Sequence, residues 1–379
     1  MKLFNRPSYI QNAHRIVIKI GSSLLTGKDI QQSPDLFLET LAYQINQLKK
    51  KDIVIVTSGA IALGMQKLKV LMRPKHIPKL QALASIGQSN LMYKYELVFE
   101  KFHLKLSQVL LTWDDISNRK RYENARNTFK ELFEFGIIPV INENDTVSTD
   151  EIKFGDNDTL AVLVSHMIGS DLLILLTDTD GLYETDPKHD LNAKIISEIF
   201  QWDAELEKKI FHTESKVGTG GMLTKLQAAK KMMKSGVPMI IANGTKKDTL
   251  TQIFQAKPIG TFFYPKSQKM TNRKRWLTWG VKPHGIIVID DGAQKAILTK
   301  NTSLLPSGVR DVLGTWDSGE IVRICNHDKK EIARGIINYD SEEVKKIKGC
   351  KTAEIETILG YTGYAEVIHR DNLVVLEKP

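Results

Sequence analysis

The chain predicts an α/β fold, a three-layer α/β/α sandwich with a mainly parallel central sheet, followed by a small β-barrel. Three observations lead there. Its 379 residues exceed the size at which one hydrophobic core keeps growing, so two domains are expected. From Arg15 onward, apolar β-branched strands alternate with helix-length segments. After about Tyr264 this texture gives way to short strands separated by Gly, Asp and Asn turns. The expected limits are residues 1–265 for the first domain, 266–282 for a polar, basic linker and 283–379 for the second domain.

Strands are expected at Ile16–Ile20, Ile53–Val56, Val109–Leu111, Ile137–Ile141, Leu172–Leu176 and Met239–Ala242. Helical patterns lie between them, at Pro34–Lys51, Leu80–Phe102, Arg121–Phe135, Leu160–Ile168 and Lys225–Ser235. Strand, helix and strand in that order give right-handed crossovers and a sheet covered on both faces. In the second domain, strands are expected at Gly285–Ile289, Val322–Cys325, Ile332–Ile337 and Ala365–Ile368. The turns are placed at Asp291-Gly292, Ser307-Gly308 and Ser318-Gly319.

Bulk properties exclude several classes. Apolar residues make up 42% and charged residues 26%, which leaves enough volume for a packed core and argues against disorder. No apolar run reaches the roughly 18 residues of a membrane-spanning helix, and the N-terminus lacks the pattern of an export signal, so a soluble cytoplasmic protein is expected. Two cysteines are too few for a disulfide framework, and the nine histidines show no metal-ligand spacing. The net charge of +9 lies wholly before Arg275, because the remainder holds 15 basic and 15 acidic residues. That favours an anion site in the first domain over a nucleic-acid surface in the second.

Candidate site residues cluster at the ends of the expected strands. Lys19 is followed by Gly21-Ser22-Ser23, a loop whose small residues let backbone amides approach phosphate oxygens, although a plain surface turn has the same composition. Thr57-Ser-Gly-Ala60 repeats the strand, small turn and helix arrangement, and a tight connection chosen for packing is the other reading. Asn142-Glu-Asn-Asp145 follows a strand and is joined by Gly155-Asp-Asn-Asp158. Asp145 and Asn157 there can hold the ammonium and carboxylate of an amino acid, and Asp158 can order lysines or a metal. A solvated Asx turn or helix cap remains open for that stretch. Thr177 and Asp178 end the most apolar strand, where nucleotides are commonly met. Gly218-Thr-Gly-Gly-Met-Leu-Thr-Lys225 opens a helix whose dipole suits phosphate, with Lys225 beside the transferred group.

Taken in order from Arg15 to Ala242, these motifs, with Leu80-Gln-Ala-Leu-Ala84 and Ile86-Gly-Gln88, closely resemble the glutamate 5-kinases of the amino acid kinase family. Gly285, Asp290-Asp-Gly-Ala293, Ser303-Leu-Leu-Pro306, Gly308-Val309 and Ala333-Arg-Gly335 resemble the PUA domain, a small β-barrel named for RNA-modifying enzymes. The resemblance implies ATP-dependent phosphorylation of the γ-carboxylate of L-glutamate, with Mg²⁺ accompanying ATP. It implies that Lys19, Thr219, Gly220, Gly221, Met222, Leu223, Thr224 and Lys225 contact the phosphates, and that Thr177 and Asp178 lie at the nucleotide. It places glutamate on Ser58, Asp145 and Asn157, with Asp158 organising the two lysines. It also carries feedback inhibition by L-proline, assembly as a homodimer or homotetramer, and a glutamyl phosphate reductase as partner. The rivals are a relative acting on aspartate, N-acetylglutamate or a nucleoside monophosphate, and an RNA-binding regulatory protein using the barrel.

Overall fold

Strands β1 (Arg15–Ile20) and β5 (Leu172–Thr177) are nearly continuous apolar runs because both of their faces are covered, and every residue of β5 is buried. They lie side by side at the centre of an eight-stranded sheet ordered β3-β4-β2-β1-β5-β7-β8-β6. The other members are β2 (Asp52–Val56), β3 (Leu106–Leu111), β4 (Ile138–Glu143), β6 (Glu198–Ile199), β7 (Met239–Asn243) and β8 (Thr261–Phe263). Pairing is parallel throughout except between β7 and β8. The carboxyl ends of β3, β4, β2, β1, β5 and β7 therefore share one edge, as expected for a doubly covered α/β sheet. The computed structural model describes residues 5–27, 33–148, 157–185, 187, 190, 192–202, 221–266 and 270–376.

Among the described residues, the helices of the first unit, Met1–Met270, are α1 (Arg6–Asn12), α2 (Ser22–Thr26), α3 (Pro34–Asn46), α4 (Ala60–Lys67), α5 (Ile77–Glu100), α6 (Trp113–Ser117), α7 (Arg119–Glu134), α8 (Asn157–Ile168), α9 (Met222–Ser235) and α10 (Thr249–Phe254). Two matter most for the site. Helix α8 is buried almost all round and packs against β1, so any charge it carries needs a partner. Helices α4 and α5 cross with their backbones in contact, since a Cβ on Gly64 would stand 2.0 Å from the Leu83 carbonyl oxygen and one on Gly87 would stand 1.7 Å from that of Ala60. Only glycine permits that approach.

Local departures from the sequence expectation have physical causes. Gly21-Ser-Ser, read as a loop, is a helix start, with Gly21 the residue before a single turn of helix. Helix α3 stops at Asn46, short of Lys51, and Lys50 follows with φ of 66°. The short strands β6 and β8 at one end of the sheet carry too few residues to show a period.

The second unit, Thr271–Pro379, has its own core and a five-stranded sheet. Its strands are β9 (Gly285–Ile289), β10 (Val309–Gly314), β11 (Ile321–Cys325), β12 (Glu331–Ile336) and β13 (Leu373–Val375), in the order β10-β9-β11-β12-β13. Residues Asn272–Gly280, expected within the linker, are helical and pack against β12 and β13, with Arg334 donating to the Thr278 carbonyl at 2.9 Å. The expected turn at Asp291-Gly292 instead begins helix α11 (Asp291–Lys300), because the Asp290 side chain accepts from the Ala293 N–H at 2.8 Å. Ala365–Ile368 forms no strand. It contributes a single bridge, between Ile368 and Leu304.

Candidate active site

Lys19 stands one residue from the end of β1, flanked by Val56 of β2 and Leu175 of β5. Both neighbours are apolar and the lysine is 6% exposed, so its ammonium can persist only against a counter-charge. Asp158 supplies it from the first turn of α8, Oδ1 lying 2.5 Å from Lys19 Nζ. The other carboxylate oxygen, Oδ2, is 3.3 Å from Lys225 Nζ in the first turns of α9. The Thr224 hydroxyl lies 3.1 Å from that oxygen and 2.9 Å from the Gly221 carbonyl, which ties the start of α9 to the same group. Two lysines that are 206 residues apart in sequence thus share one carboxylate, with no exposed surface on Asp158.

Burial pushes the Asp158 carboxyl towards the neutral form, but the ammoniums of Lys19 and Lys225, with their hydrogen bonds, reverse this and hold its pKa below the ordinary carboxylate value. The cluster carries two positive charges and one negative. Its surplus of one suits a polyanion arriving at the strand ends.

On the β2 and β4 side, Ser58 donates from Oγ to the Ile20 carbonyl at 3.0 Å, joining the loops after β1 and β2. Thr57 is fully buried, its hydroxyl 3.0 Å from that of Tyr95, whose pKa burial raises. Asn157, the first residue of α8, donates from Nδ2 to the Thr57 carbonyl and, at 2.8 Å, to Asn142 Oδ1. Asn142 in turn donates to Gln88 Oε1 at 2.8 Å. Asp145 is half-buried in the turn that follows β4.

On the β5 and β7 side, Thr177 is buried and donates to Asp178 at 3.0 Å, and the Asp178 side chain is exposed. Asp180 is clamped by Asn243 at 2.8 Å and Lys246 at 2.7 Å. Burial raises the Asp180 pKa, and the bonds to Lys246 and Asn243 more than offset this to leave it lowered. Asn243 also donates to the Asp178 carbonyl at 3.3 Å, so the loop after β5 is anchored to the loop after β7.

Of the residues singled out from the sequence, Lys19, Asp158, Thr224 and Lys225 meet directly, with Gly221 at the helix start and Met222 and Leu223 in its first turn. Ser58, Asn157 and Asp145 lie at the ends of β2, α8 and β4, and Thr177 and Asp178 at the end of β5. Thr219 and Gly220 fall outside the described residues, as do Gly155 and Asp156. Sequence reasoning passed over Gln88, Asn142, Thr57, Asn243 and Lys246 as functional groups. Gln88 and Asn142 did stand in the motifs that carried the resemblance, yet an uncharged amide gives no signal of its own. Among the described residues, no grouping of His, Cys, Asp and Glu is arranged to hold a metal ion, and no helix is long and apolar enough to cross a membrane.

Comparison with known proteins shows the family to which the chain belongs. The amino acid kinase family model matches residues 14–243 and the PUA domain model residues 285–359. A glutamate 5-kinase of Thermoanaerobacter sp. (strain X514) is 50% identical over 96% of this chain and 98% of its own length. One from Geobacter sp. (strain M21) is 47% identical over 98% of this chain and all of its own. Among solved structures, the carbamate kinase from Giardia lamblia bound to AMP-PNP covers 67% of this chain and 99% of its own, at 15% identity and a TM-score of 0.49. Motifs and relatives agree, and the chain belongs to the amino acid kinase family, in its glutamate 5-kinase branch, with a carboxyl-terminal PUA domain.

Proposed function

We propose that this chain transfers the γ-phosphoryl group of ATP to the γ-carboxylate of L-glutamate, giving L-glutamyl 5-phosphate and ADP, the first step of proline biosynthesis. The observation that carries the reading is the buried Lys19–Asp158–Lys225 cluster at the meeting point of the strand ends. Glutamate as acceptor is supported by relatives at about half identity over nearly the whole chain.

The reaction joins two anions, so its barrier is dominated by repulsion and alignment. The acceptor carboxylate is already ionised at neutral pH, with a reference pKa of about 4.3, and needs no general base. Lys19 lies on the β1 side to hold one flank of the polyphosphate, and Lys225 follows charge onto the transferred group. Asp158 holds one ammonium on each of its carboxylate oxygens before substrate arrives. The amides at the start of α9 and the residues Thr219 to Thr224 complete the phosphate cradle. Thr177 and Asp178 face the nucleotide, with Asp180, Asn243 and Lys246 holding that loop in place. Ser58, Asp145 and Asn157 hold glutamate. Mg²⁺ enters with ATP as part of the substrate, since Asp158 is committed to the lysines.

The same reading gives a labile acyl phosphate product, for which glutamyl phosphate reductase is the natural consumer. It extends to inhibition by L-proline, to a homodimer or homotetramer and to a cytoplasmic location. The test is incubation with ATP, Mg²⁺ and L-glutamate in hydroxylamine. Formation of γ-glutamyl hydroxamate, well above that of the corresponding hydroxamates from aspartate or N-acetylglutamate, is the expected result. ADP release matched by another acceptor and not by glutamate overturns it.

A further inference from the structure

Gln88 and Asn142 stand behind Asn157 in a line of carboxamides whose direction is decided by one backbone carbonyl. A carboxamide has one accepting end and one donating end, whereas a peptide carbonyl only accepts. The end of Asn157 that bonds the Thr57 carbonyl must therefore be its NH₂ group. The same group serves Asn142 Oδ1 at 2.8 Å, which obliges Asn142 to turn its own NH₂ to Gln88 Oε1, also at 2.8 Å. Asn142 is only 2% exposed, so water offers it no alternative. With both hydrogens of Asn157 directed inward, its Oδ1 has no partner among the described residues, and the side chain is only half-buried.

We propose that Gln88 and Asn142 are positioning residues that lock Asn157 with its carbonyl oxygen towards the acceptor substrate, so that the site reads the α-ammonium of a free amino acid and discriminates against diacids that lack one. An outward oxygen meets the N–H bonds of an ammonium and repels a carboxylate, which assigns Asn157 to one end of glutamate only. Gln88 is well placed to hold the far end of the line. Its neighbour Gly87 presses α5 onto the Ala60 carbonyl of α4, so the backbone that carries Gln88 has no room to shift. Replacing Gln88 by an apolar side chain frees Asn142 to rotate, and Asn157 then loses its second anchor.

The proposal rests on glutamate being the acceptor, and the experiment separates the two claims. KM for L-glutamate and the inhibition constant of glutarate, the diacid without the amine, are measured by hydroxamate formation for the wild type, Q88M and Q88E. Methionine removes the accepting oxygen at similar volume, and glutamate keeps one. In Q88M, KM for L-glutamate rises about tenfold, the size of a lost hydrogen bond to a charged group, while kcat, KM for ATP and the glutarate constant stay within about twofold. Q88E returns the glutamate-to-glutarate ratio to within about threefold of wild type. Equal weakening towards both ligands in Q88M, no change in Q88M, or a ratio as low in Q88E as in Q88M overturns the relay. Should Q88M not fold, N142D carries the test: its carboxylate still accepts from Asn157 and lets Gln88 reverse its amide, so the ratio must hold. A wild-type enzyme that makes no hydroxamate from glutamate is the separate failure of the acceptor assignment, and it takes the relay with it.

Discussion

Replacing Asp158 by asparagine removes one negative charge and almost no volume. The lysines it balances have side chains only 8% and 9% exposed, so solvent cannot substitute for the lost charge. Breaking a buried pair by removing one partner costs about 3–5 kcal/mol, and here one carboxylate serves two cations. At roughly 2–4 °C per kcal/mol for a domain of this size, Tm of D158N should fall by about 6–20 °C in differential scanning calorimetry. The pH dependence of the gap is set by linkage. The folded-state pKa of Asp158 lies below its unfolded value of about 3.9, so its contribution is complete above that value and disappears as pH falls through the folded pKa. The gap between wild type and D158N should therefore be constant from about pH 8 to 5 and close below about pH 4. Affinity for ADP should be retained or increased, because the variant site has two uncompensated cations for the phosphates, whereas kcat should drop at least about a hundredfold as the lysines lose their common anchor. A Tm shift below about 1 °C, or a gap that grows on acidification, refutes the reasoning.

Lys225→Ala should lower kcat by about a hundredfold or more while KM for glutamate stays within about threefold, because the lysine acts on charge at the transferred group. Steady-state kinetics of hydroxamate formation reads the split, and a collapse of glutamate affinity with preserved turnover refutes the role. Gly87→Ala places a methyl group 1.7 Å from the Ala60 carbonyl oxygen, so α4 and α5 must separate. A loss of about 1–3 kcal/mol is expected, visible as a lowered urea midpoint, together with weaker glutamate binding through Gln88. Tyr95→Phe leaves the buried Thr57 hydroxyl without its partner, 3.0 Å away in the wild type, and should cost about 1 kcal/mol in the same measurement with kcat within about twofold.

The sheet was legible because its central strands are buried on both faces and need not alternate. Leu172–Leu176 and Ile53–Val56 announce themselves by composition alone, and the helices between them follow from length. Asp158 was legible within the polar run Gly155-Asp-Asn-Asp158 and through the family resemblance, whereas its place in the first turn of the buried helix Asn157–Ile168, where a charge needs a partner, is seen only in the fold. Elements whose local chemistry has two solutions were read less well. Asp290-Asp-Gly serves a turn or a helix cap equally, and the cap won because residues 293 to 300 continue as helix over the second core. Val367 and Ile368 look like a strand because they are apolar, but they are buried as single core residues and pair only through one bridge.

The carboxamide line lies beyond any such reading. Gln88, Asn142 and Asn157 are 54 and 15 residues apart, with the Thr57 carbonyl 100 residues from Asn157. No side chain among them carries charge or an apolar period, and each alone has a mundane role in a helix or turn. Their joint meaning depends on a donor and acceptor order that exists only when α5, β4, the end of β2 and the start of α8 are brought together. The lysine cluster differs because charge announces a need for partners even before the partners are known. Electrostatic parts of such a site can thus be nominated from sequence, whereas the hydrogen-bond polarity that chooses which end of the substrate is read has to be found in the fold.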